Sequence, residues 1–372
     1  MSARRWTAAL LLGGLVAVPA AVRAQDAPVG RVRLYSGLEV RGVAFDAGLG
    51  TKSVRELVVP FGAIWTPGPR LAFDFGVRYA SITREPDNDT LANETVSGPT
   101  DVQVRGVYQV IPDLVVLTLS ANLPTGKTAL SAEELPAAGA VASDLIPFPV
   151  TSFGTGTNVT TGLAVAVPFE GWAIGVAGSY RLSGAYTPLA DIDSTYRPAG
   201  EARLRVGADR LVGQGRVSLG FTYSSFSHDE FGGSAIFQPG IRYITQASWS
   251  LPLGNVGLGL YAWDLYRNGG TVAVSGSRTE KQNLLAVGAV ASIQLGPNVL
   301  RPQIEYRRQS AGTEDLSDAG KLVSLAARYT LQLTEALQVS PTLRFDAGNV
   351  VVDGVAFGFT GWGLSLGLRA SL

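Results

Sequence analysis

Strict alternation of large apolar with polar or small residues is the feature that most limits how this chain can fold. In Leu71-Ala72-Phe73-Asp74-Phe75-Gly76-Val77-Arg78-Tyr79 the large apolar side chains fall at every second position, with Asp74, Gly76 and Arg78 between them. A period of two places the two sets on opposite faces of a strand. The pattern recurs at Arg216–Tyr223, Arg301–Arg307 and Leu322–Leu331. It also runs to the C-terminus, where Leu364, Leu366, Leu368, Ala370 and Leu372 share a face. After Ala24 no stretch supplies about 18 consecutive apolar residues, which excludes a helical membrane span there.

Turn signals divide these strands. Short turns rich in Pro, Gly, Asn and Asp fall at Thr66–Pro69, Ile111–Asp113, Pro168–Gly171, Gly213–Gly215, Pro252–Asn255 and Gly296–Asn298, with another at Thr334-Glu335. Longer polar connections, such as Arg84–Thr100, Pro188–Gly200, Ser227–Gly240 and Arg308–Gly320, lie between them. Seven short turns interleaved with eight longer loops give sixteen strands. The prediction is an all-β fold, a transmembrane antiparallel β-barrel of about 16 strands with short periplasmic turns and long extracellular loops. A sheet in lipid must close, because its edge groups have no water to pair with. A soluble β-sandwich or propeller would also alternate, but it would not need aromatic residues at both ends of its outward face. Here Trp65, Tyr108, Trp172, Trp249 and Tyr329 fall toward the short turns, and Tyr79, Tyr180, Tyr223, Tyr243 and Tyr306 toward the long loops. Two interfacial girdles account for that spacing.

The N-terminus reads differently. Arg4 and Arg5, the apolar run Ala8–Val18 and the small residues of Val22-Arg23-Ala24 make residues 1–24 a secretory signal, with a mature barrel over 25–372. Composition excludes other classes. Lys and Arg number 30 against 30 Asp and Glu, without the positive excess of a nucleic-acid partner. With no Cys there is no disulfide framework, thiolate nucleophile or Cys-ligated metal. The 45 glycines are spread along the strands and form no phosphate-binding loop.

The polar parity of each strand predicts the lumen: Arg33, Glu39, Arg41, Asp74, Arg78, Asp101, Arg105, Arg181, Arg203, Arg205, Arg242, Arg301, Glu305, Arg307, Arg328 and Arg344, with Gln103, Asp209, Asp346 and Arg369 alongside. Arginines exceed acids on this face, while Asp87, Asp89, Glu94, Asp229, Glu230 and Glu314 sit in the loops. Such a separation makes a mildly anion-attracting interior beneath an acidic mouth. Cross-bracing between strands is the alternative role for each of these residues.

One loop stands apart. Residues 127–156, joining the fifth and sixth strands, are mostly apolar rather than acidic. Ser131-Ala132-Glu133-Glu134 predicts a capping box, with Ser131 as N-cap and Glu134 reaching back, followed by a short helix weakened by Pro136 and Gly139. Leu145-Ile146-Pro147-Phe148-Pro149-Val150 then runs extended, with Phe153 beyond it. An apolar loop is costly to expose at a watery mouth. It therefore folds inward as a constriction of hydrophobic character, or packs on a neighbouring subunit.

Leu123-Pro124-Thr125-Gly126-Lys127, the inserted helix with Pro147-Phe148-Pro149, and Ser152-Phe153-Gly154-Thr155-Gly156-Thr157-Asn158 leading into a strand resemble the outer-membrane transporters grouped with the meta-pathway phenol-degradation family. More distantly they resemble the fatty-acid and toluene uptake barrels. The resemblance spans about thirty-five residues and implies an outer-membrane channel for small aromatic or apolar compounds. The fatty-acid barrels carry an N-terminal plug, whereas Gln25–Arg31 leads almost at once into a strand. Their count of about fourteen strands is the alternative to sixteen.

His228, the only His, is flanked by Ser227 and Asp229, but neighbours in a loop point apart and make no oriented relay, so no enzyme is expected. No cofactor or metal is expected either, although Asp87-Asn88-Asp89 and Glu314-Asp315 could take Ca²⁺ or bridge lipopolysaccharide. The expected partners are outer-membrane lipid, lipopolysaccharide, a small solute and further copies of the chain. Three functions remain open: uptake of small hydrophobic or aromatic solutes, a general porin with weak anion preference, and a closed structural or adhesive barrel.

Overall fold

The computed structural model describes residues 30–372. The signal-peptide reading lies outside the described residues. Sixteen antiparallel strands close into one barrel. In chain order these are β1 (Val32–Phe45), β2 (Thr51–Gly68), β3 (Leu71–Pro86), β4 (Glu94–Pro99 and Val102–Ile111, interrupted at Thr100-Asp101), β5 (Val115–Leu123), β6 (Asn158–Phe169), β7 (Trp172–Ser183) and β8 (Glu201–Val212). They continue as β9 (Gly215–Phe226), β10 (Arg242–Leu253), β11 (Val256–Arg267), β12 (Lys281–Leu295), β13 (Asn298–Gly312), β14 (Ser317–Gln332), β15 (Leu337–Val352) and β16 (Val355–Ser371). Each strand pairs with the next, and β16 returns to β1 from Arg33↔Ser371 to Phe45↔Phe359. Only closure of this kind leaves no strand edge exposed to lipid.

Turn chemistry sets the registers. Glu170 and Gly171 have φ of 45° and 83°, and Asp353 and Gly354 have 51° and 78°. Two consecutive positive φ angles define the two-residue hairpin turn whose twist matches its strands. The outward face is apolar along the strands, with Leu38, Leu119, Leu163, Leu219, Ile304, Leu325 and Phe345 exposed. Trp65, Tyr108, Trp249, Tyr79, Tyr180 and Tyr306 are exposed among them. Tyr223, Tyr243 and Tyr266 lie side by side on β9, β10 and β11, with ring centroids 5.7 and 6.3 Å apart.

The connections differ from those expected. β13 runs to Gly312 and β14 starts at Ser317, so most of Arg308–Gly320 is strand. Within Arg84–Thr100, Glu94–Pro99 pairs with β3. A small four-stranded sheet made of Tyr196–Arg197, Asp229–Phe231, Ser234–Gln238 and Thr271–Val272 orders three other loops. The reason is geometric. About 9–11 residues cross a bilayer, and strands such as β2, with 18 residues, extend beyond it. There both faces meet water, and polar sequence no longer distinguishes strand from loop.

Leu366 and Leu368 sit on the outer face of the closing strand, 44% and 43% exposed. Replacing either with Arg is expected to cost about 2–4 kcal/mol at the bilayer midplane, measured by refolding into lipid vesicles. Unimpaired insertion of both variants would mean that this face does not meet lipid.

Candidate pore and its inward loop

The loop between β5 and β6 is fastened at its base by Asp101, in the break of β4. Asp101 Oδ1 accepts from Gly126 N (3.0 Å) and Oδ2 from Thr155 N (2.8 Å), while Asp101 N donates to Phe153 O (2.9 Å). A Cβ on Gly126 would lie 2.3 Å from Phe153 O, so only glycine fits there. Asp101 is therefore a loop anchor, not the pore-lining residue expected from its parity. The interruption at Thr100-Asp101 turns it toward the loop ends.

The expected capping box forms only in part. Glu134 Oε2 accepts from Ser131 N (3.1 Å), which is the reach-back, and Glu134 also pairs with Lys127. The helix, Leu135–Ala140 (α1), begins later than expected, with Glu134 rather than Ser131 at the cap position and no side-chain cap bond. Pro136 in the first turn needs no N–H partner and so sets this late start. Desolvation works to raise the Glu134 carboxyl, but the bonds from Lys127 and Ser131 outweigh it and hold the group below its ordinary value.

Beyond α1 the loop folds inward. Val141, Leu145, Ile146, Phe148, Val150 and Phe153 are all at most 6% exposed. They form one apolar cluster with Val43 of β1, Val54 and Val58 of β2, Ala80 and Ile82 of β3, Val96 of β4, Leu284 of β12, Leu322 of β14 and Phe359 of β16. The inner wall at this end is thus apolar where the loop docks, rather than polar throughout as strand parity suggested. Full burial of each large side chain contributes about 1.5–3 kcal/mol.

Polar contacts hold the loop backbone. Arg41 donates to Pro147 O, Arg78 Nη1 to Pro149 O (3.0 Å), and Arg307 Nη1 to Asp144 O (3.4 Å). Glu56 Oε1 accepts from Val150 N (2.8 Å), and Arg267 Nη2 lies 3.4 Å from Asp144 Oδ2. The Arg41 guanidinium also sits 5.3 Å from the centre of the Phe148 ring. The sequence reading missed Glu56, Asp144 and Arg267. Glu56 had a signal, since it shares its parity with Val54 and Val58 and stands opposite Arg41 in the β1–β2 register.

The other predicted residues fall into wall clusters. Arg41 Nη2 and Arg344 Nε reach Asp346 at 2.7 and 2.9 Å. Arg307 Nε reaches Glu305 (2.8 Å), which also accepts from Tyr261 OH (2.8 Å). Arg105 pairs with Asp74 (3.0 Å), and Tyr35 OH donates to the same carboxylate (3.2 Å). On β7, β8 and β10, Arg242, Arg203 and Arg181 converge on Glu201 at 2.6, 2.8 and 3.6 Å. Arg205 lies two residues along the same face of β8. Arg33, Arg301 and Arg328 lie in the halves of β1, β13 and β14 nearer the short turns, and Glu39 lies at the middle of β1. Away from the pore, His228 is exposed. Its neighbours are engaged elsewhere: Asp229 accepts from Tyr196 OH (2.9 Å) and Ser227 Oγ from Gly200 N (2.8 Å).

No family model and no curated protein sequence matches the chain. Solved structures with a similar barrel include OprB of Pseudomonas putida, at 13% identity over 92% of this chain and 94% of that one, with a TM-score of 0.49. OccK11 of Pseudomonas aeruginosa is 13% identical over 92% and 96%, at 0.46. A loop-deletion mutant of OmpT, an outer membrane protein of Vibrio cholerae, is 12% identical over 93% and 100%, at 0.45.

Leu145→Ala and Phe148→Ala are each expected to weaken loop docking by about 2–5 kcal/mol. Faster limited proteolysis within residues 127–156 of the folded barrel would register this. Cleavage at the native rate in both variants would contradict the buried placement.

Proposed function

We propose that the chain is a passive outer-membrane channel for small, water-soluble anionic solutes. The observation that carries this reading is the way the loop divides its chemistry. Its apolar side chains are buried against the wall, so they do not line a path, and guanidinium groups stay accessible around the lumen. Arg203 and Arg181 keep 43% and 38% of their side chains exposed, and three arginines share the one Glu201 carboxylate. A barrel of about 16 strands is wide enough to hold an aqueous channel beside such a loop. Excess positive charge on the walls of a confined aqueous path favours anions.

Uptake of hydrophobic or aromatic solutes needed an apolar constriction, and burial of Leu145, Ile146, Phe148 and Phe153 removes those groups from the path. The apolar outer face and its aromatic rims favour an outer-membrane setting, with lipid and lipopolysaccharide as surroundings.

The test is the reversal potential of the reconstituted protein across a KCl gradient in a planar bilayer. Anion preference is expected, reduced in Arg203→Gln and Arg181→Gln. Deleting residues 129–151 is expected to raise single-channel conductance. Cation preference, or conductance unchanged by the deletion, would overturn the reading.

A further inference from the structure

One pair of lumen arginines meets face to face across neighbouring strands. Arg301 of β13 and Arg328 of β14 are direct cross-strand partners on the inner face. Like charges facing each other across a sheet are destabilising, and further along this wall a carboxylate offsets the charge of three other arginines: Asp346 for Arg41 and Arg344, Glu305 for Arg307. Among the described residues no carboxylate lies within ion-pair distance of Arg301 or Arg328. Their nearest polar contacts are neutral hydroxyls, with Arg301 Nε 3.4 Å from Ser292 Oγ and Arg328 Nε 3.2 Å from Thr342 Oγ1. The same rung continues through Thr342↔Ser365 before it meets an acid, Glu39, three strands from Arg328. Ser340 Oγ, bonded to Thr330 Oγ1 at 3.3 Å, lies on the rung next to it toward the short turns.

We propose that Arg301 and Arg328, with Ser292 and Thr342, form a binding station for a doubly charged phosphate-type oxyanion near the short-turn end of the lumen. The chemistry fits such a ligand. A planar guanidinium fork matches the oxygen spacing of phosphate, and here two such groups stand on facing positions of neighbouring strands. Flanking hydroxyls donate to the remaining oxygens, and a dianion between the forks cancels the repulsion that the fold leaves in place. The inference rests on the aqueous, anion-passing lumen proposed above. It adds a specific site to that reading, separate from the Glu201 cluster and from the docked loop.

The test uses the full mature protein in a planar bilayer carrying chloride current, with inorganic phosphate at pH 8 as the probe. Phosphate is expected to block the native channel in a saturable way. Arg301→Gln and Arg328→Gln should each raise the half-blocking concentration about tenfold, the loss of one charge-assisted contact. Arg328→Lys, which keeps the charge but loses the fork, should show a smaller rise. Arg308→Gln, a substitution of an exposed arginine paired with Asp318 outside the lumen, should leave the block at its native value. Heat-modifiable gel migration monitors folding, and removing one of two facing like charges should not lower the unfolding temperature. Native block in both Gln variants would overturn the site, and equal block by succinate would overturn the phosphate assignment. Failure of the channel reading itself is separate, because it appears as lost anion preference in phosphate-free KCl.

Discussion

A sheet facing lipid has no solvent to satisfy an unpaired N–H or C=O, and the architecture of this protein follows from that constraint. The β1–β16 ladder, thirteen residue pairs from Arg33 to Phe45, completes the ring. Once closed, the strand number sets the width. About eight strands can be filled by their own side chains, and about sixteen cannot. The interior must therefore hold water, an inserted segment, or both.

The loop between β5 and β6 is the inserted segment. Val141 to Phe153 supply a small apolar core that the wall alone could not form, and Val58, Ile82, Leu284 and Leu322 receive it from inside the barrel. Docked backbone brings polar groups with it, which need partners once water is excluded. Arg41, Arg78, Arg307 and Glu56 provide them. The arginines of the lumen thus have two distinct tasks. Some hold the loop against one side of the wall. Others, Arg181 on β7 and Arg203 on β8, keep 38% and 43% of their side chains exposed, and in the proposed reading they set the electrostatic character of the path.

Strand pattern, turn positions and strand number were legible because period-two alternation persists wherever one face meets lipid. Leu364, Leu366 and Leu368 state their exposure in sequence, and the Glu170-Gly171 turn its geometry. The inner face was less legible. Val54 and Val58 carry no mark that a distant loop will cover them, and Asp101 has the parity of a pore residue until the break in β4 turns it aside. Ser131 looked like a cap, but Pro136 delayed the helix. The residues that carried the family resemblance, Gly126 and the Phe153-Gly154-Thr155 run, turn out to be those that close the loop base around Asp101. Their spacing therefore describes a loop anchor and says little about cargo.

The central claim, that residues 144–153 are docked inside the barrel and hydrogen-bonded to its wall, is tested most directly by hydrogen–deuterium exchange of the folded protein in lipid. The account predicts that Val150 N–H, bonded to Glu56, exchanges as slowly as the strand amides around it. Exchange there as fast as in an exposed loop would contradict it.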